Sequence, residues 1–147
     1  MKKIRFLGLV FVLLATVAQV ACSKKGPTTG GVDTESSKYL KRFHFDFDRY
    51  TIRSDAVSTL KDNARWMKES SSKSFVVEGH CDERGTNEYN MALGERRAKA
   101  AKDYLVNLGV SASKLTIISF GEERPADSGH SESAWAQNRR GEFLIRK

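Results

Sequence analysis

The sequence has one long apolar run, which lies at the N-terminus and limits how the rest of the chain can fold. Residues 6–18 are almost wholly apolar and follow a cationic start that contains Lys2, Lys3 and Arg5. The run is shorter than the ~20 apolar residues that a helix needs to cross a bilayer. A positive start followed by a short apolar stretch is typical of a secretory signal, with a retained anchor helix as the alternative. A multi-span membrane protein is excluded, and the remaining chain has the length of one ordinary domain.

The residues that close this run predict a lipid anchor. Ala21-Cys22 at the end of a signal resembles the bacterial lipobox, in which the cysteine thiol receives a diacylglycerol and becomes residue one after cleavage. Acyl chains hold a protein in a bilayer with ~0.8 kcal/mol for each buried methylene. Ser23, rather than Asp, follows the cysteine, which implies sorting to the outer membrane. We therefore expect a lipoprotein signal peptide over residues 1–21 and lipidation of Cys22.

A polar segment separates the signal from the region with a regular hydrophobic pattern. Residues 23–38 contain one valine and are otherwise rich in Ser, Thr, Gly and Lys, which is too little apolar surface to form a core. We therefore expect the lipidated cysteine and a flexible tether over residues 22–40, followed by a folded domain over residues 41–147.

Hydrophobic periodicity predicts alternating strands and helices in this domain. Phe43, Phe45 and Phe47 alternate with polar residues, which indicates a half-buried strand. The later elements are predicted as a helix capped by Ser54, a strand at Phe75–Val77, a long helix capped by Thr86 or Asn87 and ending before Gly109, a strand at Leu115–Phe120, a short helix within Ser131–Arg140 and a strand at Phe143–Ile145. This βαβαβαβ order predicts an α+β fold, a two-layer sandwich with the helices packed on one face of a small mixed sheet.

An arginine on the apolar face of the long helix is the strongest clue to function. At about 100° per residue, Arg97 lies about 40° from Leu93, within the stripe that also holds Tyr104. A guanidinium buried among apolar side chains needs an anion, because an unpaired buried charge is costly. The anion is either an internal carboxylate or a ligand carboxylate, which Arg binds bidentately.

Two aspartates lie where they would complement that cation. Asp82 is in the loop between the second strand and the long helix, and Asp48 follows the first strand. Loops between strand ends and helix starts often carry ligands, and a helix N-terminus favours anions. Two carboxylates beside one guanidinium form a receptor for a zwitterionic head group, whereas each aspartate alone is by default an ordinary loop or cap residue.

Several motifs in this region resemble the OmpA-like peptidoglycan-binding family. The matching residues are Gly79–Ala98, preceded by Phe45–Asp48 and followed by Gly109-Val110, Ser119–Pro125 and Asn138–Arg140. The resemblance implies a binding module without enzymatic activity, cofactor or metal. It also implies that Asp82 and Arg97 hold the free zwitterionic end of meso-diaminopimelate in uncrosslinked stem peptides, that Asp48 joins them, and that Leu93 lines the pocket.

The lipobox-like cysteine points to the lipoprotein branch of the same family. That resemblance implies an outer-membrane, lipid-anchored protein whose domain faces the periplasm and tethers the membrane to peptidoglycan during envelope maintenance and cell division. It also implies a second partner, a TolB-like periplasmic protein that competes for the peptidoglycan site.

Three alternative functions rest on single features. Cys81 beside His80 suggests a cysteine hydrolase, but adjacent strand residues point to opposite faces, which makes His80 a poor base. His44, His80, Cys81 and His130 are candidate zinc ligands without the paired spacing of zinc sites. The net charge of +7 suggests nucleic-acid binding, against which the export signal argues.

Overall fold

The computed structural model describes residues 34–146. The predicted signal peptide over residues 1–21, Cys22 and most of the predicted tether lie outside the described residues. The helices are α1 (Thr34–Tyr39), α2 (Ala56–Glu69), α3 (Asn87–Asn107) and α4 (Glu132–Asn138), and a 3-10 turn covers Ala112–Lys114. The strands are β1 (Phe43–His44), β2 (Ser74–His80), β3 (Leu115–Gly121) and β4 (Arg140–Arg146). Among these helices none is both long and apolar enough to cross a membrane.

The four strands form one mixed sheet in the order β1-β4-β2-β3. Strand β2 is parallel to β3 and antiparallel to β4, and β1 pairs antiparallel with β4 at the edge. In this register Val77 lies between Ile117 and Phe143. The mixed sheet predicted from the sequence is therefore confirmed, and β2 is central to it.

One face of the sheet packs against α2 and α3 around a continuous apolar core. The core side chains from the strands include Phe43, Phe75, Val77, Leu115 and Phe143, and those from the helices include Leu60, Ala64, Met67, Ala101 and Leu105. Burying an aliphatic or aromatic side chain contributes about 1.5–3 kcal/mol relative to exposing it. The predicted α+β sandwich, with its helices on one face, follows from this one-sided burial.

Three local predictions differ from the structure. The predicted strand over Phe43–Phe47 is regular only at Phe43 and His44, with one further backbone hydrogen bond from the Phe45 N–H to the Arg139 carbonyl oxygen. Phe47 is 53% exposed because the chain turns away from the sheet. Helix α2 begins one residue later than predicted, because Asp55 rather than Ser54 occupies its N-cap position. The Asp55 carboxylate makes no cap hydrogen bond and instead pairs with Arg53.

The third difference concerns the end of the predicted flexible tether, which folds as helix α1. The Ser36 side chain is buried, and its hydroxyl oxygen accepts a hydrogen bond from the Ile145 N–H at 2.8 Å. The Tyr39 ring stacks on Trp66 with ring centroids 4.8 Å apart, and Leu40 joins the core. The folded domain therefore begins before residue 41 and includes helix α1.

Strand β2 and helix α3 cross at two glycines, Gly79 and Gly94. A Cβ atom on Gly79 would lie 1.9 Å from the Gly94 carbonyl oxygen, and one on Gly94 would lie 2.2 Å from Ser119 Oγ. The absence of side chains lets the helix backbone approach the strand directly. This crossing fixes the distance between the end of β2 and the next turn of α3, which carries Arg97.

We expect Gly79→Ala to destabilise the domain strongly, because the new methyl group would push α3 away from β2. Overpacking typically costs about 1–3 kcal/mol, and displacement of a backbone carbonyl places this variant at the upper end of that range. Urea denaturation followed by circular dichroism measures the change. Ser72→Ala, at an exposed position before β2, is the control and should unfold at the wild-type midpoint. Equal midpoints for both variants would contradict the close crossing.

Candidate functional site

A cleft of about 240 Å³ opens where the loops after β1 and β2 meet the N-terminal half of α3. Asp48, Asp82, Leu93 and Arg97, which the sequence nominates as site residues, all line this cleft. The remaining lining side chains and backbone belong to Phe47, Cys81, Arg84, Gly85, Tyr89, Asn90 and Arg139. The fold thus brings together residues from four separate segments of the chain.

The loop between β2 and α3 is held in a defined shape. Thr86 caps α3, its hydroxyl oxygen accepting from the Tyr89 N–H, as one of the two predicted caps. Gly85 has a φ of 124°, a value that L side chains rarely adopt, which explains the glycine at this turn. The buried Asn90 amide donates to the carbonyl oxygens of Asp82 and Arg84 and ties the loop to the helix. The carboxylate of Asp82 is consequently fixed at the cleft wall.

Arg97 is buried as the sequence predicts, with only 1% of its surface exposed. Its guanidinium donates to three backbone carbonyl oxygens, those of Arg49 at 2.8 Å, His80 at 2.7 Å and Asp46 at 3.0 Å. A further contact joins Nη1 to the Cys81 sulfur at 3.4 Å. Arg97 therefore connects the loop after β1 to the end of β2.

These contacts leave the positive charge of Arg97 without an internal counter-ion. Within residues 34–146 no carboxylate lies within ion-pair distance of this guanidinium, so the internal salt bridge that the sequence left open is not formed. Burial lowers the pKa of Arg97, which reflects the cost of keeping the charge away from water. Of its five N–H donors, four have partners, and one on Nη2 is left for a ligand. A cleft lined by a buried, unneutralised cation with a spare donor has the charge and the hydrogen-bonding capacity that suit an anion.

Asp82, in contrast, is already paired with two arginines. Its carboxylate accepts from Arg84 Nη2 at 2.7 Å and from Arg139 Nη1 at 3.0 Å. Burial alone would raise the pKa of Asp82, but the hydrogen bonds from these two guanidinium groups outweigh it, and the pKa is lowered. The carboxylate therefore remains ionised well into the acid range. A ligand ammonium that reaches Asp82 must share it with Arg84 or Arg139.

Asp48 supplies the carboxylate that is free of cations. It lies exposed at the cleft rim in the left-handed backbone region, with a φ of 55°. Its carboxylate accepts a hydrogen bond from the Tyr89 hydroxyl, and no ion pair involves it in the described part of the chain. Asp48 is thus a cleft carboxylate whose charge is not offset by a cation within the described residues.

Sequence reasoning assigned no site role to Arg84 and Arg139. The Arg84 guanidinium lies between the Phe47 ring, at 3.9 Å from the centroid, and the Trp135 ring, at 4.3 Å. Arg139 is buried and reaches Asp82 from a position 57 residues away in sequence. Both arginines also pair with Glu132. The signal in the sequence was the Arg139-Arg140 pair directly before an apolar strand, and both side chains are buried in the structure.

The residues of the alternative enzymatic and zinc sites do not come together. The Cys81 thiol contacts the Asn90 carbonyl oxygen at 3.3 Å on the cleft side, whereas the His80 ring stacks on Phe120 on the opposite face of the sheet. Burial raises the pKa of Cys81 to about 11, so the nucleophilic thiolate is scarce at neutral pH. His130 pairs with Glu83 at the surface.

Comparison with known proteins places this chain among characterised relatives. Residues 44–139 match the model of the OmpA family. The peptidoglycan-associated lipoprotein of Pseudomonas aeruginosa is 39% identical, with 97% of this chain and 99% of the relative covered. The peptidoglycan-associated lipoprotein of Mesorhizobium japonicum is 43% identical over 88% of both chains.

Solved structures of the same fold also match this chain, and one of them is a peptidoglycan-associated lipoprotein. The crystal structure of the peptidoglycan-associated lipoprotein from Burkholderia pseudomallei has a TM-score of 0.70 and 38% identity, with 72% of this chain and 90% of that chain covered. The C-terminal domain of Helicobacter pylori MotB, at 20% identity and a TM-score of 0.68, shares the fold over 74% of this chain and 85% of that one. With the cleft residues in place, the family match and these relatives show that the chain belongs to the OmpA family and, within it, to the peptidoglycan-associated lipoproteins.

Proposed function

We propose that this protein binds peptidoglycan non-covalently through the cleft and tethers the outer membrane to the cell wall. The observation that carries the proposal is the buried Arg97 guanidinium, which has no carboxylate partner among residues 34–146 and retains a donor at the cleft. The relatives' own name, peptidoglycan-associated lipoprotein, supports the same polymer as ligand.

The charges around the cleft suit the free end of meso-diaminopimelate in an uncrosslinked stem peptide. That end carries a carboxylate and an ammonium group on one carbon atom. Arg97 is assigned to the carboxylate, because a guanidinium in a desolvated site interacts strongly with it. Asp48 and Asp82 are assigned to the ammonium, with Asp48 as the first partner because no lysine or arginine of the described residues pairs with it. Leu93, buried in the cleft wall, contacts the aliphatic part of the diaminopimelate side chain.

The N-terminal residues complete the proposed tether. A signal peptide over residues 1–21 and lipidation of Cys22 would anchor the chain in the outer membrane, with the domain facing the periplasm. Two or more acyl chains give stable attachment, whereas one is marginal. A TolB-like periplasmic protein of the Tol–Pal system is proposed as a second partner, active in envelope integrity and cell division.

The chemistry of the site favours binding over catalysis. The cleft cysteine has a raised pKa, and the neighbouring histidine ring lies on the other face of the sheet. A cysteine hydrolase needs a base within about 3 Å of its nucleophile. We therefore propose a module that holds the wall polymer without cleaving it.

Retention on purified peptidoglycan sacculi tests the assignments of Asp48 and Arg97. Asp48→Asn removes one charge and keeps the backbone, because Asn tolerates the left-handed region. Loss of a hydrogen bond to a charged group costs about 1.5–3 kcal/mol, so we expect retention about 10- to 100-fold weaker. Arg97→Ala and Asp82→Asn should weaken it at least as much.

Matched controls separate these effects from general charge and from unfolding. Arg65→Ala removes a positive charge and Asp62→Asn a negative charge at exposed positions of α2 outside the cleft, and both should bind as wild type. Circular dichroism of every variant reports the fold. Equal retention by wild type, Asp48→Asn, Asp82→Asn and Arg97→Ala would reject the cleft as the binding site.

Cys22→Ser tests the lipid anchor. Without the thiol no diacylglycerol can be attached, so we expect the protein to move from the membrane fraction to the soluble periplasmic fraction while binding to sacculi in vitro is unchanged. Fractionation with immunoblotting measures this. Continued membrane attachment of the variant would contradict lipidation at Cys22.

Incubation with sacculi tests the absence of catalysis. We expect no soluble muropeptides above a protein-free blank by liquid chromatography, with wild type or with Cys81→Ala. Release of muropeptides that stops on Cys81→Ala would instead establish a cysteine hydrolase.

A further inference from the structure

A second cluster of titratable side chains lies on the face of the sheet opposite the helices. Val77 and Gly79 of β2 face the core, so the alternating residues Glu78 and His80 face the other way. Glu142 of β4 is the direct cross-strand partner of Glu78. The three side chains are therefore neighbours on two adjacent strands, remote from the opening of the cleft.

His80 is the unusual member, because its ring lacks hydrogen-bond partners. The residue is 1% exposed, and neither Nδ1 nor Nε2 forms a hydrogen bond within the described structure. Nε2 lies 3.5 Å from Glu78 Oε2, beyond the usual hydrogen-bond range. Leaving a buried polar group unsatisfied is costly, so a ring aimed at a carboxylate without bonding it indicates that a partner is missing.

Glu78 and Glu142 bring carboxylate oxygens close to the His80 ring. Glu78 and Glu142 are each 5% exposed, and one donor atom from each of Glu78, His80 and Glu142 lies within 4.8 Å of the others. Arg42 and Arg140 both contact Oε1 of Glu142, at 3.1 and 2.9 Å. In the described residues Glu78 has no arginine or lysine partner. Like the His80 ring, the buried carboxylate of Glu78 thus lacks a strong partner in the described residues.

We propose that Glu78, His80 and Glu142 bind a divalent transition-metal ion, with Zn²⁺ as the best match. One imidazole nitrogen and two carboxylate oxygens form a ligand set that Zn²⁺ accepts, with a fourth position open to water. Zinc bonds of about 2.0–2.2 Å in a tetrahedral arrangement place ligand atoms roughly 3.3 Å apart, so metal binding requires the three donor atoms, now within 4.8 Å of one another, to approach more closely. Arg42 and Arg140 hold the Glu142 carboxylate in orientation from outside the ligand set.

The proposed site is separate from the cleft but shares a residue with its framework. The His80 carbonyl oxygen accepts from Arg97 on the cleft side, whereas its ring stacks on Phe120 at 5.4 Å on the opposite face. Metal binding therefore involves only the ring of His80, and the proposed metal site can be tested independently of peptidoglycan binding.

Isothermal titration of the metal-free full-length protein with Zn²⁺ tests the site. We expect one ion per chain and a melting temperature that rises with Zn²⁺ concentration. Removing an outer partner of a metal site typically costs 10–100-fold in affinity, so loss of a ligand in His80→Gln or Glu78→Gln should cost at least about that much. His130→Gln, which removes an exposed histidine paired with Glu83, should bind Zn²⁺ as wild type.

Two results would overturn the site. The first is that wild-type protein binds no Zn²⁺ in the micromolar range. The second is that Glu78→Gln binds Zn²⁺ as tightly as wild type. This variant alters one oxygen and is the one least disruptive to the fold. Loss of binding in His130→Gln alone would place the metal at the surface and also reject the proposal. X-ray absorption at the zinc edge gives a second readout, because it distinguishes nitrogen and oxygen ligands from a thiolate of Cys81.

Discussion

The buried guanidinium of Arg97 is the interaction on which the site depends. It binds backbone carbonyl oxygens from the loop after β1 and from the last residue of β2, so one side chain joins segments that are far apart in sequence. A carboxylate partner would have neutralised the charge, whereas carbonyl dipoles solvate it and leave it positive. The same group thus holds these segments together and leaves an unneutralised positive charge at the cleft.

The other charged residues at the cleft neutralise one another through a network of ion pairs. Asp82 and Glu132 are bridged by Arg84 and Arg139, so two acids and two bases compensate one another. Arg84 is further held between two aromatic rings, which fixes its plane. Among the charged residues that line the cleft, Arg97 and Asp48 are the two that form no ion pair within residues 34–146, and they have the signs of a zwitterionic ligand's complement.

Much of this arrangement could be predicted from the sequence, and the limits have physical causes. Burial of Arg97 follows from helical spacing, which is local, and the strand and helix order follows from hydrophobic periodicity. The carbonyl partners of Arg97 depend on the path of the loop after β1, which no periodic pattern encodes. The pair of Asp82 with Arg139 joins residues 57 positions apart, and the contact of Glu78 with Glu142 depends on strand register. Strand β1 is shorter than the alternating phenylalanines predict, because alternation indicates which side chains share a face and not how far a neighbouring strand runs alongside.

Helix α1 bears on how the domain can be produced in isolation. A recombinant fragment that started at residue 41 would remove the hydroxyl that accepts the Ile145 N–H and the ring that covers Trp66. It would leave the edge of β4 with an unpaired donor and an indole open to water, a combination that favours association between copies. Fragments for crystallisation or spectroscopy should therefore retain the residues from Thr34 onward.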